Sequence, residues 1–390
     1  MQPFTFNTTP AIVFEPGAAG RLGAVIGQRL GQRFGKTVLF VTDPGLKNLG
    51  LCDPAIASLE AAGIAVTVFD QVEADPSRAT LMKAVEAGRS SGATGVIGFG
   101  GGSSLDVAKL SALLIGSGED LDGAWGVGNA TGPRLPLALV PTTAGTGSEV
   151  TPVSIITVGE EEKRGVSSAI ILPDVAVLDA ELTLGLPPAI TAATGIDAMV
   201  HAIEAYASKN ANNNPLSRML ARQALRLLGA NIEKAVFEGG DVEARGAMLL
   251  GSMLAGQAFA NSPVAAVHAL AYPIGGAFHV PHGLSNALVL PHVLRFNAPD
   301  AAGLYAEIAA DAFPGLAHEE GAQGRCAAFI EQLADLSKRV GLQPRLRDVG
   351  IGEEHLAKMA SDAMKQTRLL VNNPREVSEA DALAIYRAAW

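Results

Sequence analysis

The chain is 390 residues long, 48% hydrophobic and 17% charged, with a formal net charge of -10. That composition excludes the disordered class and is long enough for two domain-sized cores. The acidic balance, with no basic stripe, excludes a nucleic-acid partner. Two distant cysteines, Cys52 and Cys326, exclude a disulfide framework and fit a reducing compartment. The opening MQPFTFNTTP has neither a basic nor an apolar leader region, and the longest apolar runs fall far short of a membrane span. The expected setting is the cytoplasm, away from any membrane.

FTFNTTPAIVFEPGA alternates and carries Thr, Ile, Val and Phe, which predicts one or two strands before a helix near Ala18 to Leu30. A repeated unit follows: TVLFVTD as a strand, a helix from about Asp53 to Ala62, IAVTVFD as a strand, a helix from Pro76 to Ser90, then TGVIGFG and LPLALVP as further strands. Strands alternating with helices predict a parallel sheet with right-handed crossovers.

Gly100-Gly101-Gly102-Ser103-Ser104 stands between TGVIGFG and the helix LDVAKLSALLI. Glycines there would let the backbone approach a pyrophosphate, and the helix start supplies amide donors, although such a turn is equally a common connector. Asp43 ends the strand TVLFVTD, at the edge where ligands of parallel sheets gather; it would also cap the turn DPG. ILPDVAVLDAELTLGLPP reads as a junction, with its two prolines just after Leu186, so the expected domains are 1–186 and 187–390. Beyond it, NPLSRMLARQALRLLGANIEKAV, EARGAMLLGSMLAGQAFA and the closing VSEADALAIYRAAW have helical spacing, which predicts a mostly helical second domain.

Chemistry gathers in that second half. Asp197 and His201 are four apart in TGIDAMVHAIEAYAS and leave one face of a helix. His268 follows in SPVAAVHALAYP, where Ser262 is expected to cap a helix, Pro263 to open it and Pro273 to end or kink it. His282 falls in VPHGLSN, read as irregular. Three imidazoles and a carboxylate suit a borderline divalent ion such as Fe, Zn, Co or Ni. A lone histidine is usually structural, but His201, His268, His279, His282 and His292 crowd one region of a chain with seven.

DAMVHAIEAY, VHALAYPIGGAFHVPHG, GGGSSLDVAK and PTTAGTGSEVTP together resemble the iron-containing, group III alcohol dehydrogenases. The resemblance implies an α/β dinucleotide-binding domain with a parallel sheet and a helical metal-binding domain, as in the dehydroquinate synthase-like architecture. It implies Asp197, His201, His268 and His282 as metal ligands, with Fe(II) the usual ion and Zn possible. It implies NAD held at its phosphates by Gly100, Gly101, Gly102 and Ser103, with Asp106 of the same motif, and at its ribose by Asp43, which would repel a 2′-phosphate. Thr142 and Thr143 would lie along the cofactor and Lys163 near the nicotinamide ribose. A homodimer acting on a small alcohol or aldehyde is also implied.

One position departs from the pattern. Many members carry a further histidine four residues after the first of the late pair, where this chain has Tyr272. Tyr272 is expected to shape the pocket, and His279 to assist proton exit in place of the missing imidazole. Competing readings are a maleylacetate reductase, a sugar-phosphate cyclase-type lyase, for which no basic cluster is visible near Asp197 to His282, and a non-catalytic metal or nucleotide sensor.

Overall fold

The structure is a computed structural model and describes residues 3–159 and 162–390. Its contacts divide the chain into two compact units. One comprises Asn7–Thr143 and Gly147–Leu184; the other comprises 3–6, Ala144–Thr146 and Gly185–Trp390.

The first unit is built on strands β1 (Ala11–Phe14), β2 (Thr37–Val41), β3 (Ala65–Phe69), β4 (Gly95–Gly100), β6 (Leu137–Pro141) and β9 (Val175–Leu178), with the short β5 (Gly126–Val127) intervening in sequence. The six form one sheet in the order β1-β9-β6-β4-β2-β3, every pairing parallel. Both faces of such a sheet are buried, so its strands are apolar at successive positions. Val38, Phe40, Ile97, Phe99 and Val140 face one core with Leu22, Ile26 and Leu59. Leu39, Val41, Val96, Leu137 and Leu139 face the other, with Leu81, Val85, Leu105 and Leu113. The helices supplying those layers are α1 (Leu22–Arg29) and α3 (Asp53–Ala61) on one side, α4 (Arg78–Ser90) and α5 (Gly102–Ser117) on the other; α2 (Pro44–Asn48) and α6 (Leu121–Ala124) are single turns. A second sheet, β5-β8-β7, holds β7 (Val153–Val158) antiparallel to β8 (Glu162–Ser167).

Several sequence expectations shift here. The opening alternation yields one strand among the described residues, β1, within the one or two expected. Helix α4 starts at Arg78, because Ser77 accepts the Thr80 amide at 3.1 Å as its cap. The expected junction contains β9, a buried member of the main sheet. The β7–β8 hairpin went unread because Glu162, Lys163 and Arg164 make its second strand look like a polar loop.

The second unit is helical: α7 (Pro188–Ala207), α8 (Pro215–Phe237), α9 (Val242–Asn261), α10 (Ala266–Phe278), α11 (His282–Ala312), α12 (Ala322–Arg339), α13 (Leu356–Ala363), α14 (Thr367–Leu370) and α15 (Glu379–Ala389). Helix α7 is buried on nearly every side from Thr191 to Ala207, so it is the central rod against which α8, α9 and α11 pack. Glycines allow the closest approaches. A Cβ on Gly283 of α11 would lie 2.2 Å from the Ala193 carbonyl oxygen of α7, and one on Gly229 of α8 would lie 2.2 Å from the Ala312 carbonyl oxygen of α11. No helix among the described residues is long and apolar enough to cross a membrane.

Two sequence readings of this unit are corrected. Helix α10 opens at Ala266, not at Pro263: Ser262 ends α9, and its hydroxyl donates to the Ala205 carbonyl at 2.7 Å. Of the two expectations for Pro273, that it ends the helix or kinks it, the first is excluded: it lies inside α10, which continues to Phe278. His282 is not in an irregular segment; it opens the long helix α11 behind Pro281.

Candidate functional site

Helix α7 begins with Pro188 in its first turn and runs through Ala, Ile and Met, residues that hold helix without competing for the backbone. Asp197, His201 and Glu204 therefore leave one face of it at successive turns. Asp197, His201 and His268 present ligand atoms that all lie within 4.8 Å of one another, and all three residues are buried. The His201 and His268 rings stack with centroids 4.6 Å apart, and His282 adds a third ring 5.5 Å from His268. His282 Nε2 is 3.7 Å from Asp197 Oδ1, and its side chain is 42% exposed, so it forms the wet side of an otherwise dry cluster.

The orientation of each ring is fixed from behind. His201 Nδ1 is 3.2 Å from the Gly145 carbonyl oxygen, which can only accept, so Nδ1 carries the proton and Nε2 the lone pair. Phe259 stacks on the same ring at 4.4 Å. Burial pushes the His201 pKa down to about 3, which keeps the ring neutral. His268 Nδ1 donates to Glu204 Oε2 at 2.6 Å. Burial works against charge on His268, but the Glu204 hydrogen bond and the charges of Glu204 and Asp197 outweigh it and raise its pKa. Burial likewise opposes ionisation of Asp197, and the three rings with the Asn286 amide overcome it, leaving the pKa below the ordinary value. Asn286 Nδ2 donates to Asp197 Oδ1 at 2.6 Å and lies 3.3 Å from His282 Nε2.

These residues suit a divalent cation. His268 Nε2 is buried without a hydrogen-bond partner and sits 3.8 Å from Asp197 Oδ1. A nitrogen lone pair and a carboxylate oxygen facing each other in a dry site repel, at a cost of about 1–3 kcal/mol for the orphaned atom alone. A cation shared by both removes that cost, and a set of imidazoles with one carboxylate is what Fe or Zn takes.

The first unit carries the second constellation. β4 ends in Gly100, whose φ of +148° disfavours any side chain, and α5 begins behind Gly101 with no side-chain cap on its first amides. The amides of Gly102 and Ser103, in the first turn, stand where a helix start can meet an anion. Thr143 approaches this turn, since a Cβ on Gly101 would lie 3.6 Å from its Oγ1, and the Thr142 amide donates to the Gly100 carbonyl at 3.0 Å. Asp43 caps α2, accepting the Leu46 amide on Oδ1 at 3.0 Å. Asp106 is engaged by protein: Oδ1 accepts from Ser148 at 2.7 Å and Oδ2 from the Ile155 amide at 2.8 Å. Lys163, on β8, pairs with Asp75.

Tyr272 lies beside the cluster, its ring centroid 6.1 Å from that of His282. His279 is exposed and ends α10 in the left-handed conformation, φ 54°. Sequence reasoning missed Glu204, Asn286 and Lys109. The first two carried a signal, three residues after His201 and four after His282. Lys109 is five residues after Ser104 on α5; it is fully buried and donates to Ser148, Thr151 and the Val153 carbonyl, holding the loop after β6, while burial pushes its pKa down to about 8.

A parallel sheet with a glycine-rich turn at a helix start, and a buried His-and-Asp cluster on a helical unit, are features that would suit a nucleotide-dependent metalloenzyme. Comparison with known proteins makes this specific. Residues 9–180 match the model for iron-containing alcohol dehydrogenase, and residues 191–390 match the C-terminal model of the Fe-containing alcohol dehydrogenase family. The chain is 42% identical to long-chain-alcohol dehydrogenase 1 of Geobacillus thermodenitrificans, over 97% of this chain and 96% of that one. It superposes on a 1,3-propanediol oxidoreductase with a TM-score of 0.94 at 35% identity, and on the sulfoacetaldehyde reductase of Bifidobacterium kashiwanohense, solved with NAD+, with a TM-score of 0.86 at 28% identity. The former match covers 100% of both chains; the latter covers 100% of this chain and 99% of the other. The chain belongs to the iron-containing alcohol dehydrogenase family. It is an oxidoreductase of alcohols and aldehydes.

Proposed function

We propose that the chain interconverts a primary or secondary alcohol with its aldehyde or ketone at the expense of NAD, using a divalent ion held by Asp197, His201, His268 and His282. Fe(II) is the first choice of ion and Zn the second. The observation that carries this reading is the orphaned, buried Nε2 of His268 opposite Asp197. When bound, the ion supplies a Lewis acid that polarises the substrate oxygen and lowers the alcohol's pKa.

The protein's own groups do the rest. Gly145 and Glu204 keep the two buried imidazoles in the tautomer that presents Nε2. Asn286 holds Asp197 Oδ1, so the carboxylate cannot swing away. The exposed side at His282 admits substrate, and Tyr272 beside it shapes the pocket. The amides of Gly102 and Ser103, behind Gly100 and Gly101, take the cofactor phosphates, with Thr142 and Thr143 beside them. Asp43 accepts the adenosine ribose hydroxyls, and Lys163 lies toward the nicotinamide ribose. Asp106, its oxygens engaged by Ser148 and Ile155, serves the cofactor by fixing the loop after Thr143. The NAD+ complex of the related sulfoacetaldehyde reductase supports the choice of cofactor. His279 passes the released proton to solvent. The working form is a homodimer in the cytoplasm, in keeping with the free, buried thiols of Cys52 and Cys326.

The test reconstitutes the protein separately with Fe(II) and Zn(II), follows NADH absorbance over a panel of alcohols and aldehydes, and measures metal content in His268→Ala and His282→Ala. Both variants should stay folded and lose most metal and turnover. Wild-type metal content in either would remove that residue from the ligand set. Tyr272→Phe should keep much of its turnover, whereas His279→Ala should lose turnover with its metal intact; full activity in His279→Ala would leave proton exit to water.

A further inference from the structure

Glu204 belongs to neither of the constellations described above as ligands or cofactor contacts, yet the residue is 5% exposed and both its carboxylate oxygens are engaged. Oε2 accepts from His268 Nδ1 at 2.6 Å, and Oε1 accepts the Val267 backbone amide at 2.7 Å. Val267 is in the first turn of α10, a helix whose N-cap residue, Ala265, offers no side-chain acceptor. The carboxylate of one helix thus caps another and grips the imidazole that follows one residue later.

We propose that Glu204 is the positioning residue of the metal site: it fixes the start of α10 against α7 and, through the same carboxylate, fixes the tautomer and aim of His268. This rests on the metal reading of the cluster. The two jobs share a chemical requirement, because both partners are donors and only an ionised carboxylate offers two acceptors on one group. A glutamine has one acceptor and one donor. If its oxygen keeps the Val267 amide, its NH2 group faces His268 Nδ1, which must then give up its proton to Nε2, the atom the ion needs. If it turns over, its oxygen keeps the His268 proton but its NH2 group meets the Val267 amide, so the start of α10 that carries His268 is pushed off its seat. Either way the ligand is misaimed while the fold and the nucleotide turn remain. Carboxylates behind metal-binding histidines act in this manner, and their loss typically weakens metal binding by about 10–100-fold.

The experiment titrates Co(II) into metal-free wild type, Glu204→Gln and Glu204→Asp, following the visible d–d bands, with NAD binding and circular dichroism on the same samples. In Glu204→Gln, Co(II) affinity should fall about 10–100-fold and the bands should shift, with NAD affinity and helicity unchanged. Glu204→Asp keeps both acceptors on a shorter arm; it should lose less, and it decides the matter if the glutamine variant does not fold. Wild-type affinity and spectrum in either folded variant overturns the proposal, as does an equal loss of NAD and Co(II) binding, which marks a general packing role. Failure of the wild-type protein itself to take up Co(II) would instead overturn the metal reading beneath it.

Discussion

At the scale of single residues, the proposed divalent-ion ligands and their supports differ in how they announce themselves. Asp197 and His201 were legible from their spacing on an evident helix, and His268 and His282 from clustering and resemblance. Glu204 and Asn286 sit at helical spacing from those ligands, but a glutamate or asparagine on a helix is ordinarily a solvated residue, and only the packing of α7 against α10 and α11 buries them. Asp43 illustrates two roles on one side chain. As the cap of α2 it is replaceable, since an aspartate-to-glycine change at an N-cap costs only a few tenths of a kcal/mol. In the proposed role of ribose acceptor it would not be. Asp43→Gly should therefore melt close to wild type while the ratio of kcat/KM for NADP over NAD rises about tenfold or more, the order expected for removing one close like charge. An unchanged ratio would reduce Asp43 to its capping role.

At the scale of elements, the parallel strands and their crossover helices are readable because short apolar, β-branched runs alternate with stretches of helical spacing. β9 hid in a stretch that looked like a junction, since a four-residue buried strand has too little length to show a period. His282 was assigned to a loop because Pro281 and Gly283 flank it, residues that usually mark turns. The proline instead stands at a helix start, and the glycine serves contact: it lets α11 lie against the α7 backbone at Ala193. Gly283→Ala should cost about 1–3 kcal/mol in stability by overpacking, and should also weaken Co(II) binding, because the displaced helix end carries His282. Gly229→Ala is the matched control. It meets an equally close carbonyl at Ala312, the opposite end of α11 and roughly 45 Å away at 1.5 Å per residue. Comparable loss of stability with wild-type Co(II) affinity is expected there; equal metal loss in both would mean that His282 is displaced by loosening anywhere in the unit.

At the scale of the molecule, each unit has its own core and, on the proposed reading, its own ligand, so their stabilities should respond to different additives. An ion bound only by the folded helical unit stabilises it by about 2.7 kcal/mol at a hundredfold excess over Kd. Scanning calorimetry should show a transition that rises with Co(II), falls with chelator and ceases to respond in His268→Ala. A chelator response that survives in His268→Ala would place the ion elsewhere. The sequence could suggest a boundary near Leu186, but not that Ala144–Thr146, in the midst of the nucleotide-binding segment, belongs by its contacts to the helical unit. That tripeptide supplies the Gly145 carbonyl that orients His201. The proposed metal site would consequently be stitched from two separated stretches of the sequence. Residues 185–390 grafted onto another nucleotide domain would arrive with every ligand and still lack the backbone oxygen that aims one of them. Recombination in this architecture must exchange the loop after β6 together with the helices, or leave the hybrid with an imidazole free to turn.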